Sequence, residues 1–95
     1  MRMRYEWDAV KNKRNFRKHG IWFEEAQTVW ADPHSMEYFD PENSHNEDRY
    51  IRIGHSIKLN LLVVVFSEFE DQEKIRIISA RIATRKESGQ YETRI

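Results

Sequence analysis

The sequence predicts one α+β domain: two N-terminal helices, about four antiparallel strands in a curved sheet, and a C-terminal helix. Three observations carry this. A basic stretch after Asp8 has the marks of a capped helix that stops at Gly20. The run from Leu59 to Phe66 is apolar on both faces apart from Asn60, as a central strand should be. Lys74 to Tyr91 begins as a β-branched strand and ends as a helix. With 95 residues there is room for one core, so 1–95 reads as a single domain. A chain of this size buries roughly 60–65% of its unfolded surface, which makes its stability modest.

Each element follows in order. Arg4 to Trp7 reads as a short extended lead-in. Asp8 suits an N-cap, Ala9 to His19 the helix, and Gly20 the C-cap behind Lys18 and His19 in the last turn. Val10 and Phe16 are that helix's clearest apolar positions. Glu24 to Ala31 reads as a second short helix, with Phe23, Ala26, Val29 and Trp30 at the spacing of one buried face. Asp32-Pro33 ends it. His34 to Asp40 alternates loosely, like an edge strand, and Pro41 to Asn46 is a polar loop. Asp48 to Ser56 alternates better, with Arg49, Ile51, Ile53 and His55 on one face. Leu61 to Phe66 is the expected central strand, and Glu68 to Glu73 an acidic hairpin turn. In the last strand, alternation puts Ile75, Ile77, Ser79 and Arg81 on one face and Arg76, Ile78, Ala80 and Ile82 on the other. Thr84 followed three residues later by Glu87 has the spacing of a capping box. Short connections favour an antiparallel meander, with helices on one sheet face and the other partly open.

The formal net charge is zero, but it is not evenly spread. Residues 1–22 hold seven Lys/Arg against two Asp/Glu, residues 23–73 three against twelve, and residues 74–95 six against two. Two basic ends therefore flank an acidic middle, and a face shared by those ends would attract phosphate. Without cysteine there is no disulfide framework and no thiolate metal site. No apolar run reaches the ~20 residues of a membrane span, and the N-terminus lacks an apolar signal core, so a cytoplasmic protein is expected.

Several chemistries find no support. His19, His34, His45 and His55 do not stand at metal-ligand spacing, so no metal is expected. Gly20, Gly54 and Gly89 make no phosphate loop, and no cofactor is expected. Neither Ser56 nor Ser79 sits in a nucleophile elbow. What remains is arginine, tyrosine, glutamate and histidine on a small sheet. That set suffices for metal-free RNA cleavage, because RNA supplies its own 2′-OH nucleophile. The protein must clamp the phosphate and move protons. Candidates for these roles are Arg76, Arg81, Arg85, Glu87 and Tyr91, together with His55, which could shuttle a proton. Each has a structural alternative. Arg81 can pair with the acidic middle, Arg76 with Glu68 or Glu70, and Glu87 with Thr84 as a cap. Tyr91 can simply pack its helix down. Arg85 sits in a first helical turn, where the dipole disfavours a cation. Arg81 and Arg85 can converge if the chain turns between them. His19 reads as a helix-end residue and Trp7 as an anchor for the first helix.

The sequence also resembles a known family. Residues 76–81, Arg-Ile-Ile-Ser-Ala-Arg, followed by Ala83-Thr84-Arg85-Lys86-Glu87 and Tyr91, look like the C-terminal signature of BrnT toxins. Glu6-Trp7-Asp8, Lys11, Asn15, Lys18-His19-Gly20, Phe23-Glu24-Glu25-Ala26 and Asp32-Pro33 fit the family's opening. The match runs nearly end to end. The resemblance implies a RelE-like ribonuclease toxin of a type II toxin–antitoxin system. It implies an RNA substrate, inhibited translation and neutralisation by a BrnA-type antitoxin, in a hetero-oligomer that covers the basic face. It makes Arg81 and Arg85 the leading phosphate ligands and Tyr91 an acid–base or stacking residue. Gly89 departs from the pattern, costing a helix about 1 kcal/mol relative to Ala, and the chain ends at Ile95 soon after. The alternative from a different class is a non-catalytic nucleic-acid- or antitoxin-binding module.

Overall fold

The structure, a computed structural model, describes residues 3–44, 47–69 and 73–94. Its elements are β1 (Arg4–Glu6), α1 (Ala9–His19), α2 (Phe23–Ala26) continued by a 3-10 turn (Gln27–Ala31), β2 (Met36–Phe39), a 3-10 turn (Pro41–Asn43), β3 (Arg49–His55), β4 (Leu61–Phe69), β5 (Lys74–Ile82) and α3 (Arg85–Arg94). The strand order is β1-β5-β4-β3-β2, which puts β4 in the middle as its apolar run requires. Two expectations need correction. The sheet has five strands and is mixed, because Arg4–Glu6 pairs in parallel with Lys74–Arg76. A three-residue strand carries too little periodicity to stand out from a lead-in. The second helix is one α-turn that tightens into a 3-10 turn. Of the expected acidic turn, Glu68 and Phe69 extend β4, and residues 70–72 lie outside the described residues, as do 45 and 46 of the polar loop.

Helix α1 is capped as expected. The Asp8 carboxylate accepts from the Val10 and Lys11 amides, and Gly20 takes the left-handed conformation at φ 74°. The face it buries is not the expected one. Asn12 and Asn15 are buried, whereas Val10 is 60% exposed and Phe16 stacks on Trp22 at the surface. The asparagines tolerate burial because both ends of each side-chain amide are hydrogen-bonded. Asn12 accepts from the Phe23 amide and donates to Glu24. Asn15 donates to the Ile21 and Ala80 carbonyls and accepts from the Ala80 amide. Satisfied in this way, a buried amide avoids the desolvation cost of an unpaired one.

Helices α1 and α2 cover one sheet face. The core there is Ile21, Phe23, Ala26, Val29, Leu62, Val64, Phe66, Ile75, Ile77 and Ala80. Full burial of Phe23 or Phe66 contributes about 1.5–3 kcal/mol each. Ala80 belongs to this face because the β4–β5 register slips. Val65 pairs with Ser79 but Phe66 with Ile77, so Ile78 is an extra residue. That bulge reverses the alternation beyond it. Ser79 and Arg81 therefore lie opposite Ile75 and Ile77, not beside them as strict alternation predicts.

The second face carries a smaller cluster, Ile53, Val63 and Tyr91, with Met36, Ile51, Leu61 and Ala83 packed around it. Tyr91 is the one large apolar side chain that α3 contributes. Polar contacts hold the rest of that helix.

Candidate active site

Two of the sequence candidates meet on this second face. His55 ends β3, and Tyr91 reaches it from α3, with the hydroxyl 3.1 Å from His55 Nδ1 and the rings edge to face. A third residue joins them from the end of the 3-10 turn. Asp32 Oδ2 accepts from the Tyr91 hydroxyl at 2.6 Å and from the His55 amide at 2.8 Å, while Oδ1 accepts from the His34 amide at 2.9 Å. Gly54 makes this approach possible. A Cβ there would lie 2.7 Å from Ser35 Cβ, 2.9 Å from Val29 Cγ1 and 3.2 Å from Asp32 Oδ2. In the sequence alone Asp32 has only the look of a helix stop. The Asp32-Pro33 pair in the family resemblance was the one signal that pointed to it.

The hydrogen bonds define a direction. Tyr91 has one hydroxyl proton and gives it to Asp32, so its oxygen is left to accept from His55 Nδ1. That assigns the Nδ1–H tautomer and leaves Nε2 as the free nitrogen. The His55 side chain is 41% exposed, against 9% for Asp32. Burial works to raise the Asp32 carboxyl, but the amides of His55 and His34 and the Tyr91 hydroxyl outweigh it and hold it below the usual carboxylate range. Burial, reinforced by the Asp32 hydrogen bond and charge, pushes the Tyr91 phenol up to about 12. Tyr91 thus stays neutral and acts as a bridge between carboxylate and imidazole. An open cleft of about 440 Å³ lies alongside, lined by Thr28, Ala31, Asp32, His55, Ser56 and Ile57.

One turn earlier on α3, Glu87 receives Arg81. The guanidinium forks onto the carboxylate at 2.8 and 2.9 Å. Glu87 also accepts from the Thr84 amide, and Thr84 Oγ1 accepts from the Glu87 amide, so the expected capping box is complete. The Arg81 fork is the largest cause that brings the Glu87 carboxyl down to about 2. Four residues of helix, about 6 Å, separate this contact from Tyr91.

The other candidates are dispersed. Arg85 is exposed at the start of α3, and the Arg81 fork is turned onto Glu87 instead of converging with it. Arg76 pairs with Glu6 on β1 at 3.1 Å, not with Glu68, and lies over the Phe69 ring. Arg49, Ser67 and Arg76 fall in register across three strands of the second face. Arg49 Nε and Ser67 Oγ have no hydrogen-bond partner there. Trp7 packs edge to face on Phe23, as an anchor should.

A small α+β domain that sets imidazole, phenol and guanidinium groups on one sheet face is equipped for acid–base chemistry on a phosphodiester. The family profile of the ribonuclease toxin BrnT of type II toxin–antitoxin systems matches residues 7–87. The chain belongs to that family. The crystal structure of the Brucella abortus ribonuclease toxin BrnT is similar, with a TM-score of 0.62 at 26% sequence identity. The likeness covers 87% of this chain and 99% of that one. Comparison with curated protein sequences gives no match.

Proposed function

We propose that this chain is an endoribonuclease that cleaves RNA in the cytoplasm without a divalent metal and so inhibits translation. A BrnA-type antitoxin restrains it in a hetero-oligomer, covering the basic face with acidic residues. The observation that carries the catalytic reading is the Asp32–Tyr91–His55 chain, which holds an imidazole in one tautomer with Nε2 free beside an open cleft.

In this mechanism His55 Nε2 takes the proton of the 2′-OH. The 2′-oxygen attacks the adjacent phosphorus, a 2′-O–P bond forms and the P–O5′ bond breaks. The leaving 5′-oxygen is protonated from water, and the product ends in a 2′,3′-cyclic phosphate. Tyr91 and Asp32 are positioning residues that hold the ring as it becomes an imidazolium. Glu87 orients Arg81, whose remaining N–H groups face the growing phosphorane charge, with Arg85 contributing to the field; Arg76, paired with Glu6, stands apart from it.

A second reading has one observation in its favour. The Arg81 fork already has an anion in Glu87, as a purely structural arginine would. On that reading the chain binds RNA or the antitoxin without cleaving. Incubation of defined RNA with purified protein in EDTA, with and without ribosomes, decides between them. Products with cyclic phosphate ends support the ribonuclease. Cleavage abolished by EDTA and restored by magnesium at constant ionic strength contradicts the metal-free mechanism. Intact RNA under both conditions, with no growth arrest on expression, leaves the binding module.

A further inference from the structure

Helix α1 carries cations that the candidate active site does not use. Lys11, Arg14 and Lys18 follow the three- and four-residue spacing of one helical stripe and are exposed. Like charges at that spacing destabilise a helix unless an anion sits among them. Among the described residues none of the three belongs to an ion pair. Asp8 acts on Lys11 and Arg14 through its charge but forms no ion pair with either, and its carboxylate accepts from the Val10 and Lys11 amides.

These cations face a built concavity. Together with Asn15, His19, Ile78 and Ser79 they line a cleft of about 240 Å³ between α1 and β5. Its strand wall exists because β1 pairs only with Lys74, Ile75 and Arg76, which leaves the later half of β5 without a described neighbour on that side. Ile78 is the bulge residue, and Ser79 comes directly after it.

The chemistry of this wall selects among anions. An open strand edge ordinarily invites an added peptide strand. Here Asn15 closes it, because its side-chain amide takes both the N–H and the C=O of Ala80 at 3.1 and 2.8 Å. An acidic peptide therefore cannot pair with β5 at Ala80. A phosphodiester needs only cations and hydroxyl donors, which Lys11, Arg14, Lys18 and Ser79 supply. Ser79 also shares a strand face with Arg81, two residues or about 7 Å further on, so the cleft leads toward the candidate active site.

We propose that the cleft between α1 and the β5 bulge binds backbone phosphates of single-stranded RNA outside the cleaved bond, with Lys11, Arg14 and Lys18 as the ligands. This rests on the ribonuclease reading for the identity of the RNA. The test is binding of a short labelled 2′-O-methyl RNA, which cannot be cleaved, across a salt series. It compares wild type with a Lys11→Gln, Arg14→Gln, Lys18→Gln triple variant and with each single variant, all checked for native circular dichroism. The triple variant should lose about 10- to 100-fold in affinity at low salt. Its plot of log affinity against log salt should flatten by about 2, near 0.7 per lost phosphate contact. Single variants should each show part of the effect, which keeps the test valid if the triple variant misfolds. Unchanged affinity and slope in folded variants overturns the proposal, as does a poly-glutamate peptide that competes as well as RNA. Cleft-dependent binding by a wild-type protein that never cleaves RNA would leave the cleft standing and remove the ribonuclease reading instead.

Discussion

Tyr91 and Asp32 stand 59 positions apart and share a 2.6 Å hydrogen bond. It ties α3 to the turn after α2 and passes over the end of β3, where His55 sits. Because α3 brings few apolar side chains to the sheet, this bond and the Arg81–Glu87 fork fix where the helix lies. Tyr91→Phe keeps the ring in its apolar cluster and removes only the bridge. It should cost about 1–2 kcal/mol in a denaturant melt. Cleavage should slow on the order of 10- to 100-fold, because the imidazole loses its orienting partner. An unchanged rate would mean that the bridge is structural.

Gly54→Ala tests the close approach behind that bridge. The new methyl group would press on Ser35, Val29 and the Asp32 carboxylate. Overpacking of this kind costs about 1–3 kcal/mol, and the relief route is movement of the Asp32 turn away from β3. The expected outcome is lower stability together with a larger loss of cleavage than stability alone explains, read by melting and by single-turnover rate.

Acid should loosen α3 through Glu87. Its carboxyl lies at about 2 in the folded chain against an ordinary 4.5. A depressed folded value contributes stability that is present above 4.5 and is lost as pH falls toward 2. With Arg81 partly exposed, the contribution is on the order of 1–2 kcal/mol after screening. Glu87→Gln should be less stable at neutral pH and show a flatter stability–pH curve between 4.5 and 2. Parallel curves for the two proteins would refute the assignment.

Arg81→Ala should reduce toxicity on expression and slow cleavage by about 30- to 1000-fold, the span of a lost transition-state phosphate contact of about 2–4 kcal/mol. The protein should still fold and bind its antitoxin, although α3 loses its tie to Arg81. Arg81→Lys should recover only part, since a point charge cannot replace the fork. Arg85→Ala should act in the same direction but more weakly. A toxic Arg81→Ala, or one that is inactive only because it unfolds, would leave Arg81 as the ion-pair partner of Glu87 alone.

Much of this architecture was legible because local signals carried it. Asp8, Gly20 and the Thr84–Glu87 pair are caps with a fixed spacing, and the Leu61–Phe66 run is apolar on both faces. The failures are of a different kind. Helical periodicity points to Val10 and Phe16 as the buried positions of α1, and it gives no sign of Asn12 and Asn15, whose burial depends on partners at Phe23, Glu24 and Ala80. The face of Arg81 was misplaced because a single bulge at Ile78 reverses all alternation after it. For the candidate site, residue type and the family resemblance nominate His55, Tyr91, Arg81 and Glu87. How they pair was not legible. Asp32 was missed as a member, since one carboxylate before a proline is ordinary punctuation until β3 folds against it.

The central claim is that His55 moves a proton for the cleavage step, positioned by Tyr91 and Asp32. The most direct test is the single-turnover rate of RNA cleavage in EDTA for wild type and His55→Ala, with folding verified by melting. A general base contributes about 10²- to 10⁴-fold, so His55→Ala should be slower by that factor while RNA affinity is retained. A folded His55→Ala protein that cleaves at the wild-type rate would contradict the account.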